Sequence, residues 1–309
     1  MIYDLSIIIP FYNCKKFIDK SLENSIGVSK KNFKVEIIYI NNNSNDGSEI
    51  ILKNKIKNLK NIKFFYTSKK NGMGPGVARN LGIKKASSNL LMFLDVDDYI
   101  EIKYLNDLIQ YCKNFKNNFF LLNIKSKKKI SPYVQYNKKN LEIFFKKSNN
   151  MLAIGKVFKK KFLIKNNLYF FKNIFEDIFF IFKCYFYNKK RIKYFPKKIY
   201  IKTDNPDSIT NSKITFNHIK SKFNAFKSIE IFLKRDNLRV LKNLHEVIQY
   251  RFRGEFSNEY NNIINSNLKK EVKELFITYT KELYKKSINK RFKLITSKDK
   301  FTKEKLFNV

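Results

Sequence analysis

Short apolar runs alternate with helical patterning through the first third of the chain, and that alternation restricts the fold more than any other feature. Leu5-Ser6-Ile7-Ile8-Ile9-Pro10 reads as a buried strand closed by proline. Phe17, Ile18, Leu22 and Ile26 then recur at helical spacing over residues 15–26. Val35-Glu36-Ile37-Ile38-Tyr39-Ile40 is a second strand, and a polar loop from Asn41 to Ser48 leads to a helix from about Glu49. Ile62 to Tyr66 is a third strand. A loop from Gly72 to Gly76 precedes a helix from Val77 to Ala86, and Leu90 to Leu94 is a fourth strand. Strands alternating with helices predict an α/β fold with a mostly parallel central sheet flanked by helices, its ligands at the C-terminal ends of the strands.

Beyond residue 100 the pattern is less regular. Residues 101–114 and 171–187 read as helices, and 118–124 and 192–201 as strands. Lys125 to Lys129 suggest an exposed loop. From about residue 215 the chain is helical. One apolar stripe runs from Phe216 to Leu233, a second from Leu241 to Phe252 and a third from Leu268 to Leu283. These readings divide the chain into an α/β domain, residues 1–212, and a helical, basic C-terminal extension, residues 213–309.

The fourth strand runs straight into Asp95-Val96-Asp97-Asp98, three carboxylates in four positions. Like charges this close repel unless a cation sits among them, and hard oxygen ligands suit Mg²⁺ or Mn²⁺. An acidic cap and first turn of a helix is the other reading of the same residues.

The remaining totals bound the partners. A net charge of +38 favours anionic ones, although lysine is abundant throughout. Cys14, Cys112 and Cys184 are too few and too scattered for a disulfide framework or a zinc site. A reducing cytoplasm fits. We expect no signal peptide and no spanning helix, since no apolar run is long enough. His218 and His245 lack metal-ligand spacing.

Four motifs in order resemble the inverting family 2 glycosyltransferases of the GT-A (Rossmann-like) fold. They are Ser6 to Asn13, Asn71-Gly72 with Ala78-Arg79-Asn80-Leu81-Gly82, Phe93 to Asp98, and Phe175-Glu176-Asp177. Ser208-Ile209-Thr210 resembles a further C-terminal motif, and the likeness covers roughly residues 4–212. It implies a UDP-sugar donor contacted by Pro10, Tyr12, Asn42, Arg79 and Asp95, with Mn²⁺ or Mg²⁺ on Asp97 and Asp98 in support. It also implies that Asp177 is the base that takes the acceptor proton. Taken alone, Glu176-Asp177 reads as a solvated pair and Arg79 as a surface ion pair. One departure stands out: Asn41 and Asn42 occupy positions where the family carries carboxylates, one of which reads the uracil ring. An Asn carbonyl still accepts the uracil N3–H, without charge.

The whole chain is similar in length, composition and motifs to glucosyltransferases that branch the glycan of bacterial protein N-glycosylation. That likeness implies transfer of glucose from UDP-glucose to a polyprenyl-diphosphate-linked oligosaccharide. The alternative acceptor is a lipooligosaccharide or capsule. Residues 285–309 hold nine Lys or Arg against two Asp or Glu, with bulky apolar residues between them. Such a tail suits an anionic bilayer, or is a solvated tail. We expect a cytoplasmic protein peripheral on the inner face of the cell membrane. A nucleic-acid-binding or membrane-surface scaffold is the competing class. No nucleic-acid motif supports the first, and intact carboxylates at both sites argue against the second.

Overall fold

The computed structural model describes residues 3–30, 33–68, 74–126, 151–171, 175–188, 190, 192–206 and 216–235, with scattered helical residues between 269 and 281. Several expectations lie outside the described residues: Asn71-Gly72, Lys127 to Lys129, Ser208 to Thr210, the second helical stripe, most of the third, and the basic tail. The chain divides into two units, Met1–Asn211 and Ser212–Val309.

The first unit follows the expected α/β order. β1 (Leu5–Phe11), α1 (Lys15–Ser29), β2 (Val35–Asn41), α2 (Ser48–Ile56), β3 (Ile62–Tyr66), α3 (Pro75–Lys85) and β4 (Leu90–Phe93) alternate as their patterns require. There follow β5 (Tyr99–Ile100), α4 (Leu105–Asn114), β6 (Phe119–Lys125), β7 (Lys156–Lys159), α5 (Lys160–Lys165), α6 (Glu176–Tyr187) and β8 (Lys193–Ile201). The second unit is described at α7 (Phe216–Arg235), which buries Phe223, Phe226 and Ile229.

The eight described strands join one sheet in the order β3-β2-β1-β4-β7-β6-β8-β5. β2, β1 and β4 run parallel, as do β6 and β8, while β7 is antiparallel to both its neighbours and β5 to β8. β5, β7 and α5 were not expected. β7 is Lys156-Val157-Phe158-Lys159, too short for a two-residue period to show, and it passes into α5 without a glycine or proline break.

Every residue of β1 is buried, because both faces of the sheet are covered. Leu5, Ile7 and Ile9 join a core with Ile18 and Leu22 of α1 and Leu105 and Leu108 of α4. Ile8 points the other way, towards α3, as strand alternation dictates. A β-carbon at Gly82 would lie 2.2 Å from Ile8 Cγ2, so this glycine lets α3 seat on the strand. Burying a side chain such as Ile8 contributes about 1.5–3 kcal/mol.

Candidate active site

α3 holds the segment that leads to Glu176 and Asp177. Asn80 pairs with the backbone of Phe170 in both directions: its Nδ2 donates to the carbonyl and its Oδ1 accepts the N–H, each at 2.9 Å. A β-carbon at Gly76 would lie 2.6 Å from the Phe171 carbonyl and 2.8 Å from Glu176 Cγ. Phe170 stacks on Phe180 of α6 with centroids 3.8 Å apart, and the Arg79 guanidinium lies over the Phe170 ring. The Ala78-Arg79-Asn80-Leu81-Gly82 motif is thus a docking surface for the chain entering α6. Phe175, at φ 63°, turns the backbone through the left-handed region just before that helix starts.

Arg79 gathers three carboxylates from two distant stretches of chain. Its Nη2 donates to Asp95 Oδ1 at 3.0 Å, and its Nη1 donates to Glu176 Oε1 and, at 3.2 Å, to Asp177 Oδ1. Only 5% of Arg79 is exposed, so it is not the surface ion pair that its sequence context allows. Burial opposes its charge, but Asp177, Asp95 and Glu176 outweigh that and raise its pKa. Its Nε is buried and has no hydrogen-bond partner among the described residues. Glu176 and Asp177 occupy the first turn of α6, where the helix dipole favours negative charge. They are not a solvated pair: Glu176 is buried, and burial followed by the Asp177 charge pushes it up to about 7. Burial also raises Asp177, against the pull of Arg79 and of the Ala153 N–H, which donates to Asp177 Oδ2 at 2.9 Å.

The three aspartates after β4 offer oxygens that all lie within 4.8 Å of one another. They do not form the simple helix cap that the sequence also permits, since β5 and a 3-10 turn follow them. Each is engaged differently by β8 and the residues just past it, and the Asp95 N–H donates to Tyr200 Oη at 3.3 Å. Asp98 is buried, and its two oxygens accept from Tyr200 Oη at 2.7 Å and the Thr203 N–H at 2.8 Å. Burial and then the Asp95 charge push it up to about 7. Asp97 Oδ2 accepts from Asn205 Nδ2 at 2.7 Å, and its carbonyl accepts from the Thr203 hydroxyl at 2.6 Å. Asp95 and Asp97 are more open, as candidate ligands need to be. The oxygen-only donor set fits a hard divalent cation.

Pro10, Tyr12 and Asn42 lie at the C-terminal ends of β1, which neighbours β4 in the sheet, and of β2 beyond it, without a described hydrogen bond to the carboxylate cluster. Pro10 is buried and Tyr12 is half exposed. Asn42 is buried and its Oδ1 accepts from the Thr67 hydroxyl at 3.3 Å. Asn41 is also buried, with its Oδ1 accepting the Ser44 N–H and its Nδ2 donating to Glu49. Asp46, the remaining carboxylate of that loop, binds the N–H groups of Lys15 and Ser48 and so ties the loop to α1 and α2.

Several contributors carry no motif: Tyr200, Thr203, Asn205, the Ala153 N–H and Lys156. Only the position of Thr203 and Asn205 just past a strand hinted at them.

The profile of Glycosyl transferase family 2 matches residues 6–203. The chain belongs to this family and is a glycosyltransferase. It is 28% identical over 260 residues to an uncharacterized glycosyltransferase of Haemophilus influenzae, covering 81% of this chain and 96% of that one. It is also 28% identical to the poly(ribitol-phosphate) beta-N-acetylglucosaminyltransferase TarP of Staphylococcus aureus, over 54% of this chain and about half of that one (52%). The crystal structure of S. aureus TarS 1–349 in complex with UDP-GlcNAc superposes with a TM-score of 0.69. That match covers 92% of this chain and 80% of the other at 22% identity, a likeness of fold.

Proposed function

We propose that the protein transfers a sugar from a UDP-sugar to a hydroxyl of an anionic cell-surface glycan, with inversion at the anomeric carbon. The observation that carries this reading is the Arg79 bridge between Asp95, in the metal-capable cluster, and Asp177. A donor-side carboxylate and a base at fixed separation are what a single in-line displacement needs.

Each residue has a role in that displacement. Asp177 takes the proton of the acceptor hydroxyl as that oxygen attacks. Asp97 and Asp95 would hold Mn²⁺ or Mg²⁺, with Asp98 locking their turn. When bound, the ion neutralises the diphosphate and makes it a better leaving group. Arg79 keeps Asp177 aimed and balances the buried negative charge. Pro10, Tyr12 and Asn42 form the nucleotide loop at the ends of β1 and β2.

The acceptor we infer is the lipooligosaccharide or capsule class, in place of the N-glycosylation branching step. TarP is named for a phosphate-bearing surface polymer, and a chain of net charge +38 is suited to such an anionic acceptor. Work at the inner face of the cell membrane follows from such an acceptor. No helix among the described residues is long and apolar enough to cross a membrane.

The test is a matrix of UDP-glucose, UDP-galactose and UDP-N-acetylglucosamine against poly(ribitol phosphate), lipooligosaccharide core, capsule oligosaccharide and polyprenyl-diphosphate-linked oligosaccharide, read by product mass. A mass gain of one sugar on an anionic surface glycan is expected. Transfer to the polyprenyl-linked glycan alone would restore the branching reading, and no transfer from any UDP-sugar would overturn the donor class.

A further inference from the structure

Lys156 is a lysine with no exposed surface, set in β7 beside the proposed base. Its Nζ donates to the carbonyl of Leu152 at 2.5 Å. The next atom along that peptide bond is the nitrogen of Ala153, whose N–H donates to Asp177 Oδ2 at 2.9 Å. One amide group therefore lies between the ammonium and the carboxylate, accepting from the first and donating to the second. Hydrogen bonds chained through a peptide group polarise one another, and a charged donor on the carbonyl makes the N–H a stronger donor.

We propose that Lys156 is a positioning residue for glycosyl transfer, holding and polarising the single peptide group that fixes Asp177. The inference rests on the reading of Asp177 as the base. The base is then held on both oxygens: Oδ1 by Arg79 and Oδ2 by the Ala153 N–H. Lys156 acts on it without touching substrate.

The charges around these two groups agree with that role. Asp177 faces Arg79 from α3, Asp95 beyond β4, Glu176 in its own helix and Lys156 from β7. Asp95 raises its pKa, while Arg79 and Lys156 lower it. Lys156 in turn faces Asp177 and Cys184, both from α6. Burial pulls its own pKa down to about 7, and the Asp177 carboxylate opposes that fall.

A double-mutant cycle and a direct titration test this. Full-length protein labelled with ¹³C at aspartate carboxyls gives one resonance that disappears in Asp177→Asn, and its midpoint reports the base without any substrate. In Lys156→Met that midpoint should rise by roughly one pH unit, because the carboxylate loses a cationic support. Lys156→Gln, neutral and polar, should show the same rise if Lys156→Met does not fold. Release of UDP from UDP-N-acetylglucosamine with Mn²⁺ should fall about tenfold or more in the lysine variant, the scale of a charged hydrogen bond. It should fall little further when Lys156→Met is added to Asp177→Asn, since both changes remove one function. An unmoved Asp177 midpoint, or fully additive losses, overturns the proposal for Lys156. Normal transfer by Asp177→Asn alone overturns the base reading instead, and the two failures are distinct.

Discussion

Asn205 donates from Nδ2 to Asp97 Oδ2 at 2.7 Å, joining a residue beyond the last strand of the first unit to the proposed metal ligand. That bond leaves Asp97 oriented by the protein before any cation arrives. Neutral amides around a ligating carboxylate fix its direction and are worth about 10- to 100-fold in metal affinity. Asn205→Ala should therefore weaken Mn²⁺ binding by about tenfold in calorimetry with little change in melting temperature. Asp97→Asn should remove metal-dependent UDP binding, and activity should vanish in EDTA and return with Mn²⁺ or Mg²⁺. Full activity in a chelator would sink the metal assignment.

Asp177→Asn keeps size and one of the two acceptor oxygens but removes basicity. Transfer should drop by roughly 10²–10⁴-fold at saturating donor. UDP binding should change far less than turnover. Asp177 does share a guanidinium with Asp95, so some effect on the donor side is expected. Equal losses in both would mean that Asp177 acts through the donor site and not as the base.

Arg79→Met leaves Asp95, Glu176 and Asp177 facing one another without their shared cation. Breaking a buried ion pair by removing one partner typically costs about 3–5 kcal/mol. We expect a loss of that order in urea unfolding. Arg79→Lys should recover only part of it, because one ammonium does not reproduce the two-nitrogen fork. A loss near that of an exposed pair, about 0–1 kcal/mol, would contradict the buried bridge.

Stability should fall as pH rises towards neutrality in metal-free buffer. Burial and then the Asp177 charge lift Glu176 from 4.5 to about 7, so in that window the folded chain keeps a proton that the unfolded chain has released. The contribution is complete below 4.5 and is lost as pH rises through about 7. Asp98 adds a change of the same sign. Glu36 and Asp4 are held below their ordinary values and act in a separate, more acid window, losing stability as pH falls. Melting temperatures between about pH 5 and about pH 8 should decline for the native protein and decline less steeply in Glu176→Gln, where Asp98 still titrates. An unchanged slope in that variant would place the titration elsewhere.

How far the sequence revealed all this depended on how local each signal was. β1 to β4 and their helices were legible because each is an uninterrupted apolar run or a helical stripe, and the Asp95-Val96-Asp97-Asp98 cluster announced itself by charge density. β7 was hidden because four residues cannot establish a period. Lys156 was hidden by composition: with 64 Lys and Arg in the chain, one more lysine carries no information, and only its burial distinguishes it. Glu176 read as half of an acidic pair, and its contact with Arg79 spans 97 residues, a separation no local pattern encodes. Gly82 is the reverse case: its motif was visible, but its reason, the close approach to Ile8, belongs to packing.

The closure of β8 over the aspartates has a consequence for synthesis. Tyr200, Thr203 and Asn205 reach Asp95, Asp98 and Asp97 across 102 to 108 residues of chain. At a translation rate of about 5–20 residues per second, the carboxylates leave the ribosome roughly 5–20 s before the groups that cage them. Through that interval they are ordinary hydrated anions on a nascent chain, with no geometry to retain a cation or a nucleotide. A message truncated before Lys193 therefore yields a polypeptide that carries Asp95, Asp97, Asp98 and Asp177 but lacks the Tyr200, Thr203 and Asn205 groups that orient the three aspartates after β4.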